Sequence, residues 1–566
     1  MPVTISYFVP RACVLLVVLL CGVALADKKQ EDRQKRLWPT RCYPGSHCYP
    51  DPEDVAHLQS SITGSVVVPS DSAYPSTIET SNLRWTRSPG IVVVARSVAD
   101  VQTAMLFARR FYMNVVYSGS GVNYQGRGNY DGAMKIDLSQ LKLSPVQVSV
   151  NQFNQNVPGT VTAYAGNTWG EIYSQVETGS GFSRLVVGGS PNLDTVDSFT
   201  QTGGIGVLSR TYGLVADNLV SAQVVLADGR IASINAGSVT VTDSKGNVLT
   251  YTDEKLLDAL RGGGITWGVP VSFTFNLYIP PFQYGSISGE YRIVDNGQVV
   301  GKDTLRYVMS QVSSLPFQWG GYIAIDGAMS NQFANDRGTI KYHLFSNGFY
   351  NFTRVGTPIW NLQNYSPLSR INIVPIPNLN SFSQHRSNAP EAEQHFSASD
   401  NAYVFNTLLN SDVLTNATKY DLFLDLMMDV VNSPTVDSNY RCVAKMAGGK
   451  ITTPNYSTYV NPKLREAAFS MTCALMWSEG LTTEEFYIAE AMEFQKKLRA
   501  FGNGGVNPYY ASEDLKDWKS ALYGASYNEL LEIKKDWDVD NFLWAHNAVA
   551  SDFELNCRAM RCPHHH

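Results

Sequence analysis

The sequence predicts an α+β protein built of more than one domain. Three observations carry this expectation. The chain has 566 residues, 44% hydrophobic and 17% charged, which exceeds one ordinary core and is too apolar for a disordered chain. From residue 84 short β-branched runs alternate with helical stretches and glycine-dense turns, while residues 285–499 read as a second set of strands and helices. From residue 500 the pattern changes again and ends in a short apolar run, which suggests a return to the first domain.

Arg11 precedes the apolar run Ala12 to Ala26, and Ala24 and Ala26 form an A-x-A-like end before Asp27. The run is shorter than the roughly 20 residues of a membrane span, so residues 1–26 read as a cleaved secretory signal. No later stretch is apolar enough to span a bilayer. Residues 27–83 form an N-terminal segment with a predicted stapled loop, TRCYPGSHCYP, and a helix opening at Asp51 or Pro52. Outside the signal lie Cys42, Cys48, Cys442, Cys473, Cys557 and Cys562, an even set that suits an oxidising compartment. The expected links are Cys42–Cys48, Cys442–Cys473 and Cys557–Cys562, with a link between the N- and C-terminal pairs as the alternative. Their spacing suits no zinc site, and His564, His565 and His566 are given no metal role. Four sequons, at Asn351, Asn364, Asn416 and Asn455, mark candidate glycan-bearing surface loops. The net charge of -6 and scattered basic residues argue against a nucleic-acid partner.

In the first large region, residues 84–284, Ile91 to Val94 is a predicted strand and Ser97 a predicted cap for the helix VADVQTAMLFARRF. MKIDLSQL, VQVSV, TVTAYAG and RLVVGG read as strands, and Asp228-Gly229 as a hairpin turn. In residues 285–499, YGSISGEYRIV, RGTIKYHLFSNGFY and the run around KYDLFLDLMMDVV read as strands, whereas LREAAFSMTCALM and TTEEFYIAEAMEFQKKLRAF read as helices. In residues 500–566, SYNELLEIKKDWDVDNFLW opens as a helix that ends near Asp538.

Three glycine turns share the first region: Ser118-Gly119-Ser120-Gly121-Val122-Asn123 with Gly126, Gly203-Gly204-Ile205-Gly206, and Gly262-Gly263-Gly264 with Gly268. Side-chain-poor turns let backbone N–H groups approach a phosphate. None is the G-x-G-x-x-G fingerprint, and no P-loop lysine follows the first, which disfavours a Rossmann NAD site. Three in one α/β region suggest a long phosphate-bearing cofactor lying along backbone.

The ordered set SGSGVNYQGRG, GGIGVLSRTYGLVADN, VVLADGR, LLDALRGGGITWGV and SYNELLEIKKDWDVDNFLW resembles the berberine-bridge-like FAD-linked oxidases of the vanillyl-alcohol-oxidase superfamily. The terminal stretches look closest to secreted fungal or oomycete-type members. The resemblance implies a bipartite PCMH-type FAD-binding domain (84–284, completed by 500–566) and a central antiparallel-sheet-and-helix substrate domain (285–499). It implies that FAD is lined by Ser118, Gly119, Ser120, Gly121, Val122, Asn123, Gly126, Gly203, Gly204, Gly206, Asp217, Asn218 and Gly268. Val122 stands where many members carry a flavin-linked histidine, and Gly188-Gly189-Ser190-Pro191 lacks their cysteine, so FAD is expected to be non-covalent. Asp197 stands in a loop that is usually glycine-rich and would bring negative charge toward the diphosphate path. Tyr509, Tyr510 and Asn507 are the candidate catalytic residues, with Tyr342 and Tyr350 as weaker ones. The implied activity is oxidation of an alcohol or sugar C–OH, with O2 or another acceptor reoxidising the flavin. The departures leave open a second expectation: a catalytically degenerate secreted binding or structural protein on the same scaffold.

Overall fold

The computed structural model describes residues 41–552 except 120–123, 152–153, 155–156, 179–182, 190–193, 328–336, 383–400, 433–434, 436–437 and 479–481. The predicted signal and the proposed Cys557–Cys562 link lie outside the described residues.

Three sheets organise the chain. The first takes β1 (Ser65–Val67), β2 (Ile91–Val94), β3 (Val115–Ser118) and β4 (Met134–Asp137) in the order β1-β2-β4-β3. Its β2, β3 and β4 are parallel, and β1 pairs antiparallel with β2. Helices α1 (Pro52–Ser60) and α2 (Val98–Arg110) pack on it. Asp51 caps α1 with Pro52 in its first turn, and Ser97 caps α2 through a reciprocal bond with Asp100. Buried Asp100 also accepts from Thr63 and Gly64, tying α2 to the approach to β1.

The second sheet is antiparallel: β5 (Gln147–Ser149), β6 (Thr160–Tyr164), β7 (Leu219–Val225), β8 (Ile231–Asn235), β9 (Ser238–Thr242), β10 (Val248–Thr252) and β11 (Val269–Asn276), in the order β10-β9-β8-β7-β11-β6-β5. The turn at Asp228-Gly229 joins β7 to β8, where Gly229 adopts φ +84°. Helices α3 (Trp169–Thr178), α4 (Val196–Gln201) and α5 (Lys255–Leu260) lie in this half. RLVVGG forms no named strand, only a bridge from Leu185 to Tyr278.

The third sheet holds β12 (Tyr284–Asp295), β13 (Gln298–Val299), β14 (Trp319–Asp326), β15 (Arg337–Ser346), β16 (Arg370–Leu379), β17 (Asn401–Leu409), β18 (Ser438–Met446) and β19 (Phe469–Trp477). One face packs on α6 (Gly301–Ser313), α7 (Ala417–Met428) and α8 (Glu484–Arg499) in a separate core. The opposite face, through Ala324, Phe345, Val443 and Ala474, joins the core of the second sheet. The Cys442–Cys473 disulfide links paired positions of β18 and β19, and Cys42–Cys48 staples the N-terminal loop.

Two expectations are corrected here. KYDLFLDLMMDVV is helical, because Tyr420, Phe423, Leu424 and Met427 bury one side at helical spacing and Asn416 caps the start. Most of LREAAFSMTCALM is the strand β19, buried on both faces, so its apolar run shows no alternation.

The tail returns to the start of the chain. Helix α9 (Tyr527–Trp537) is followed by a parallel bridge between Leu543 and Val115, with Val115 N–H donating to the Phe542 carbonyl at 2.9 Å. The fully buried Lys534 ammonium donates to Thr266 O (2.9 Å), Leu543 O (2.8 Å) and Asp538 Oδ2 (2.7 Å). That one cation ties α9, the third glycine turn and the final apolar run together.

Candidate active site

Gly119 follows β3 directly, and a Cβ there would collide with Thr195 Oγ1 and lie 2.9 Å from Asp197 Oδ1. Gly119 therefore rests on the start of α4. Gly204, at φ +68°, brings the second turn against the same helix, where a Cβ would lie 2.9 Å from the Phe199 ring. From the third turn, the Ile265 carbonyl accepts from Tyr117 Oη at 2.7 Å, and Tyr117 Oη accepts from Gln201 Nε2 of α4 at 3.0 Å. The described residues of all three turns thus meet α4. One cavity is lined by Tyr124, Gln125, Arg127, Ser198, Thr202, Ile265 and Tyr509.

The predicted cofactor residues divide by what they touch. Ser120, Gly121, Val122 and Asn123 lie outside the described residues. Ser118 ends β3, its carbonyl accepting from Leu138 N at 2.8 Å. Gly126 packs on Trp85, Gly206 on the Gly188 carbonyl and Gly268 on Val224. Gly203 has no side chain within 3.5 Å of where its Cβ would stand. Asp217 and Asn218 spend their side chains on protein. Asp217 forms a bidentate pair with Arg465 (2.6 Å each) and accepts from Leu214 N, and Asn218 bonds Leu214 O, Tyr212 O and Tyr278 Oη.

Asp197 is fully buried and accepts from Thr195 Oγ1 at 2.5 Å. Burial raises its carboxyl pKa, with nearby Asp194 adding to the rise and the Thr195 hydroxyl and the Ser198 amide opposing it.

The candidate catalytic residues lie where the tail, the second glycine turn and the third sheet meet. Tyr509 Oη donates to Asp194 Oδ1 at 2.5 Å, and Lys445 Nζ of β18 donates to Tyr510 Oη at 3.0 Å. Tyr124 stacks on Tyr510, and Phe199 meets Tyr509 edge-on at 5.2 Å. Burial pushes both phenols well above the ordinary tyrosine range, and Asp194 pushes in the same direction. Burial brings Lys445 down to about 8, opposed by Asp194. Asn507 has a positioning place: its Oδ1 accepts from Tyr509 N at 3.0 Å and its own N–H donates to Asn406. Tyr342 and Tyr350 are not at this site. They pack in the helix-side core, because Tyr342 points to the face of β15 opposite His343 and Phe345.

Lys445, Asp194 and Arg127 were missed from sequence. The signal for Lys445 was present, as one of two cations, with Arg441, in the otherwise mostly apolar run YRCVAKM. Cross-strand register places Lys445 beside Tyr322, Tyr322 beside His343, and Lys445 beside Ser470, a polar row across the sheet. Burial lowers His343 to about 4. Among the described residues there is no cluster of three metal-ligating side chains and no helix long and apolar enough to cross a membrane.

Residues 89–235 match the family model described as an FAD binding domain, and residues 509–550 match the model described as berberine and berberine like. The chain belongs to the berberine-bridge-like FAD-linked oxidases. A VAO-type flavoprotein oxidase of Thermothelomyces thermophilus is 23% identical over 82% of this chain and 76% of its own. Two solved structures from Myceliophthora thermophila C1 share the fold. A VAO-type flavoprotein superposes with TM-score 0.71 at 18% identity, covering 91% of this chain and 98% of its own. A xylooligosaccharide oxidase in complex with xylobiose gives 0.66 at 17%, covering 88% and 99%. This berberine-bridge-like chain is thus an FAD-dependent oxidoreductase with a PCMH-type cofactor domain and an antiparallel-sheet domain. Side-chain-poor turns that meet on α4 suit an extended dinucleotide held along backbone. The four described cysteines are paired with one another, which agrees with FAD held without a covalent bond.

Proposed function

We propose that the protein is a secreted oxidase that removes hydride from an alcohol or carbohydrate C–OH, with O2 as the acceptor. The observation that carries this is the buried Asp194–Tyr509 and Lys445–Tyr510 pairing beside the cavity of the glycine turns. Bound FAD supplies the hydride acceptor. The chain supplies the proton path. As the substrate C–OH is oxidised, its hydroxyl proton passes to Tyr509 Oη while the Tyr509 proton passes to Asp194 Oδ1. A tyrosine without that carboxylate is a poor base at neutral pH, because its phenolate is too costly in a buried site. Lys445 orients Tyr510 against Tyr124 and offers positive charge near the developing anion. The hydroxyl-bearing substrate is supported by this proton path and by the xylooligosaccharide oxidase among the structural neighbours. Export is supported by the signal-like N-terminus and by the disulfides.

A second reading is a degenerate binding or structural protein on this scaffold. It is favoured by Asp197 and Phe199, whose side chains meet Gly119, Gly189 and Gly204 where a smaller residue would leave space. One experiment separates the two. Purified protein with flavin absorbance near ~370 and ~450 nm, lost to the supernatant on acid precipitation, supports the oxidase. Peroxide release should then be screened over sugars and alcohols. Colourless protein that also refuses added FAD supports the second reading.

A further inference from the structure

The loop after β15 sorts its side chains inward and outward. Tyr350 and Phe352 turn inward onto Trp319, at ring separations of 5.1 and 5.9 Å, and Phe352 is buried. Phe349 is 68% exposed, and Asn351 and Thr353 are exposed as well. Burial thus alternates along the chain, which leaves Phe349 and Asn351 on one outward side. A lone exposed ring is ordinary on a protein surface. What singles out Phe349 is its register: it stands two residues before the acceptor of the sequon Asn351-Phe352-Thr353.

The Asn351 side chain is disposed to carry a sugar. Its Oδ1 accepts from Thr353 N at 3.0 Å and from Thr353 Oγ1 at 2.8 Å, which closes an Asx turn. Among the described residues its Nδ2 donates to nothing, so the atom that would bear the sugar is open. At Asn364 the same atom donates to Trp360 O at 2.8 Å. The residues two before Asn364, Asn416 and Asn455 are Leu362, Leu414 and Thr453, none of them aromatic. A pyranose presents a face of C–H groups, and laying that face on an aromatic ring takes both out of water. Two residues of extended chain span about 7 Å, a gap that the first sugar on Asn351 can bridge.

We infer that Asn351 carries an N-linked glycan whose first N-acetylglucosamine packs on the Phe349 ring. The inference rests on the export reading above. In the attachment, Asn351 Nδ2 of the newly made chain forms the bond to C1 of N-acetylglucosamine and gives up one proton. The C1–O bond to a polyprenyl-diphosphate-linked oligosaccharide breaks, and the diphosphate leaves with the electron pair. The sugar then covers an exposed ring and holds the loop between β15 and the helix Pro358–Asn364.

The test expresses the full chain, with its own N-terminus, in a eukaryotic secretory host, as wild type, Asn351→Gln and Phe349→Ala. Peptide mass spectrometry of the exported protein reads the mass on Asn351. Hydrogen exchange of residues 347–357 is then compared with the glycan intact, trimmed to one N-acetylglucosamine, or removed. Asn351 should be occupied. Full removal, or Asn351→Gln, should speed exchange in this loop by roughly three- to tenfold, and trimming should not. Phe349→Ala should show the fast rate with its glycan still attached. Asn351 unmodified in exported protein overturns the inference and leaves export standing, whatever the other three sequons carry. Occupied Asn351 with equal exchange in wild type and Phe349→Ala overturns the packing, and the exposed ring is then free for another partner. Protein retained inside the cell with all four sequons bare sinks the export reading, and the inference with it.

Discussion

Breaking the Asp217–Arg465 pair tests whether Asp217 serves the cofactor or the junction between the glycine-turn half and the third-sheet half. The pair is bidentate at 2.6 Å, with side chains 1% and 12% exposed. Arg465→Met leaves the buried Asp217 carboxylate with the Leu214 amide, and Asp217→Asn leaves Arg465 with Ile451 O and Thr458 Oγ1. Removing one partner of a buried ion pair costs about 3–5 kcal/mol, whereas removing both charges costs far less. The double variant should therefore be more stable than either single one, with a coupling energy of at least about 2 kcal/mol. Urea unfolding, followed by tryptophan fluorescence and circular dichroism with and without FAD, measures this. The extra stability that FAD confers should be the same in all four proteins, because ligand stabilisation depends on affinity alone at fixed concentration. Coupling below about 0.5 kcal/mol refutes the clamp. An FAD increment lost in Asp217→Asn but kept in Arg465→Met returns Asp217 to the cofactor.

Three further outcomes are expected. Asp197 has its carboxyl pKa raised by burial, so the folded state holds a proton the unfolded chain releases near ~3.9. Its contribution is fully present below that value and is lost as pH rises through the folded pKa. Asp197→Asn should thus be more stable than wild type at pH 7, and the gap should close on acidification; a pH-independent gap in thermal unfolding contradicts this. Glu513 is held at about 2 by His546 and Arg87 against the cost of burial. Its contribution, roughly 3 kcal/mol, is present above ~4.3 and is lost as pH falls through about 2, so Arg87→Ala should raise the pH of acid unfolding. Tyr509→Phe should retain FAD and lower turnover by roughly 10²- to 10⁴-fold once a substrate is found, and unchanged turnover removes Tyr509 from the proton path.

Much of the architecture was legible because local rules and tertiary packing agree. The caps at Asp51 and Ser97 and the Asp228-Gly229 turn lie where turn and cap chemistry put them. Where packing overrides pattern, legibility fails. Strand β19 is buried on both faces, so its residues carry no period to distinguish strand from helix. At the site, Tyr509 and Tyr510 were visible through the family resemblance, but their partners were not. Asp194 lies 315 residues from Tyr509, and Lys445 lies 65 from Tyr510, so only the fold reveals those pairings. Asp217 is a related case: conformity to a family motif does not disclose that its carboxylate faces Arg465, 248 residues away.

The bridge between Val115 and Leu543 has a consequence for biosynthesis. Strand β3 is the outer strand of its sheet, and its free side is covered by residues near the end of the chain. While the ribosome is still making the middle of the protein, that side exposes unpaired backbone to any passing strand. Completion of the nucleotide half must therefore wait for the last residues to emerge. Polypeptides truncated before Phe542 should clump rather than accumulate as a half-sized flavoprotein.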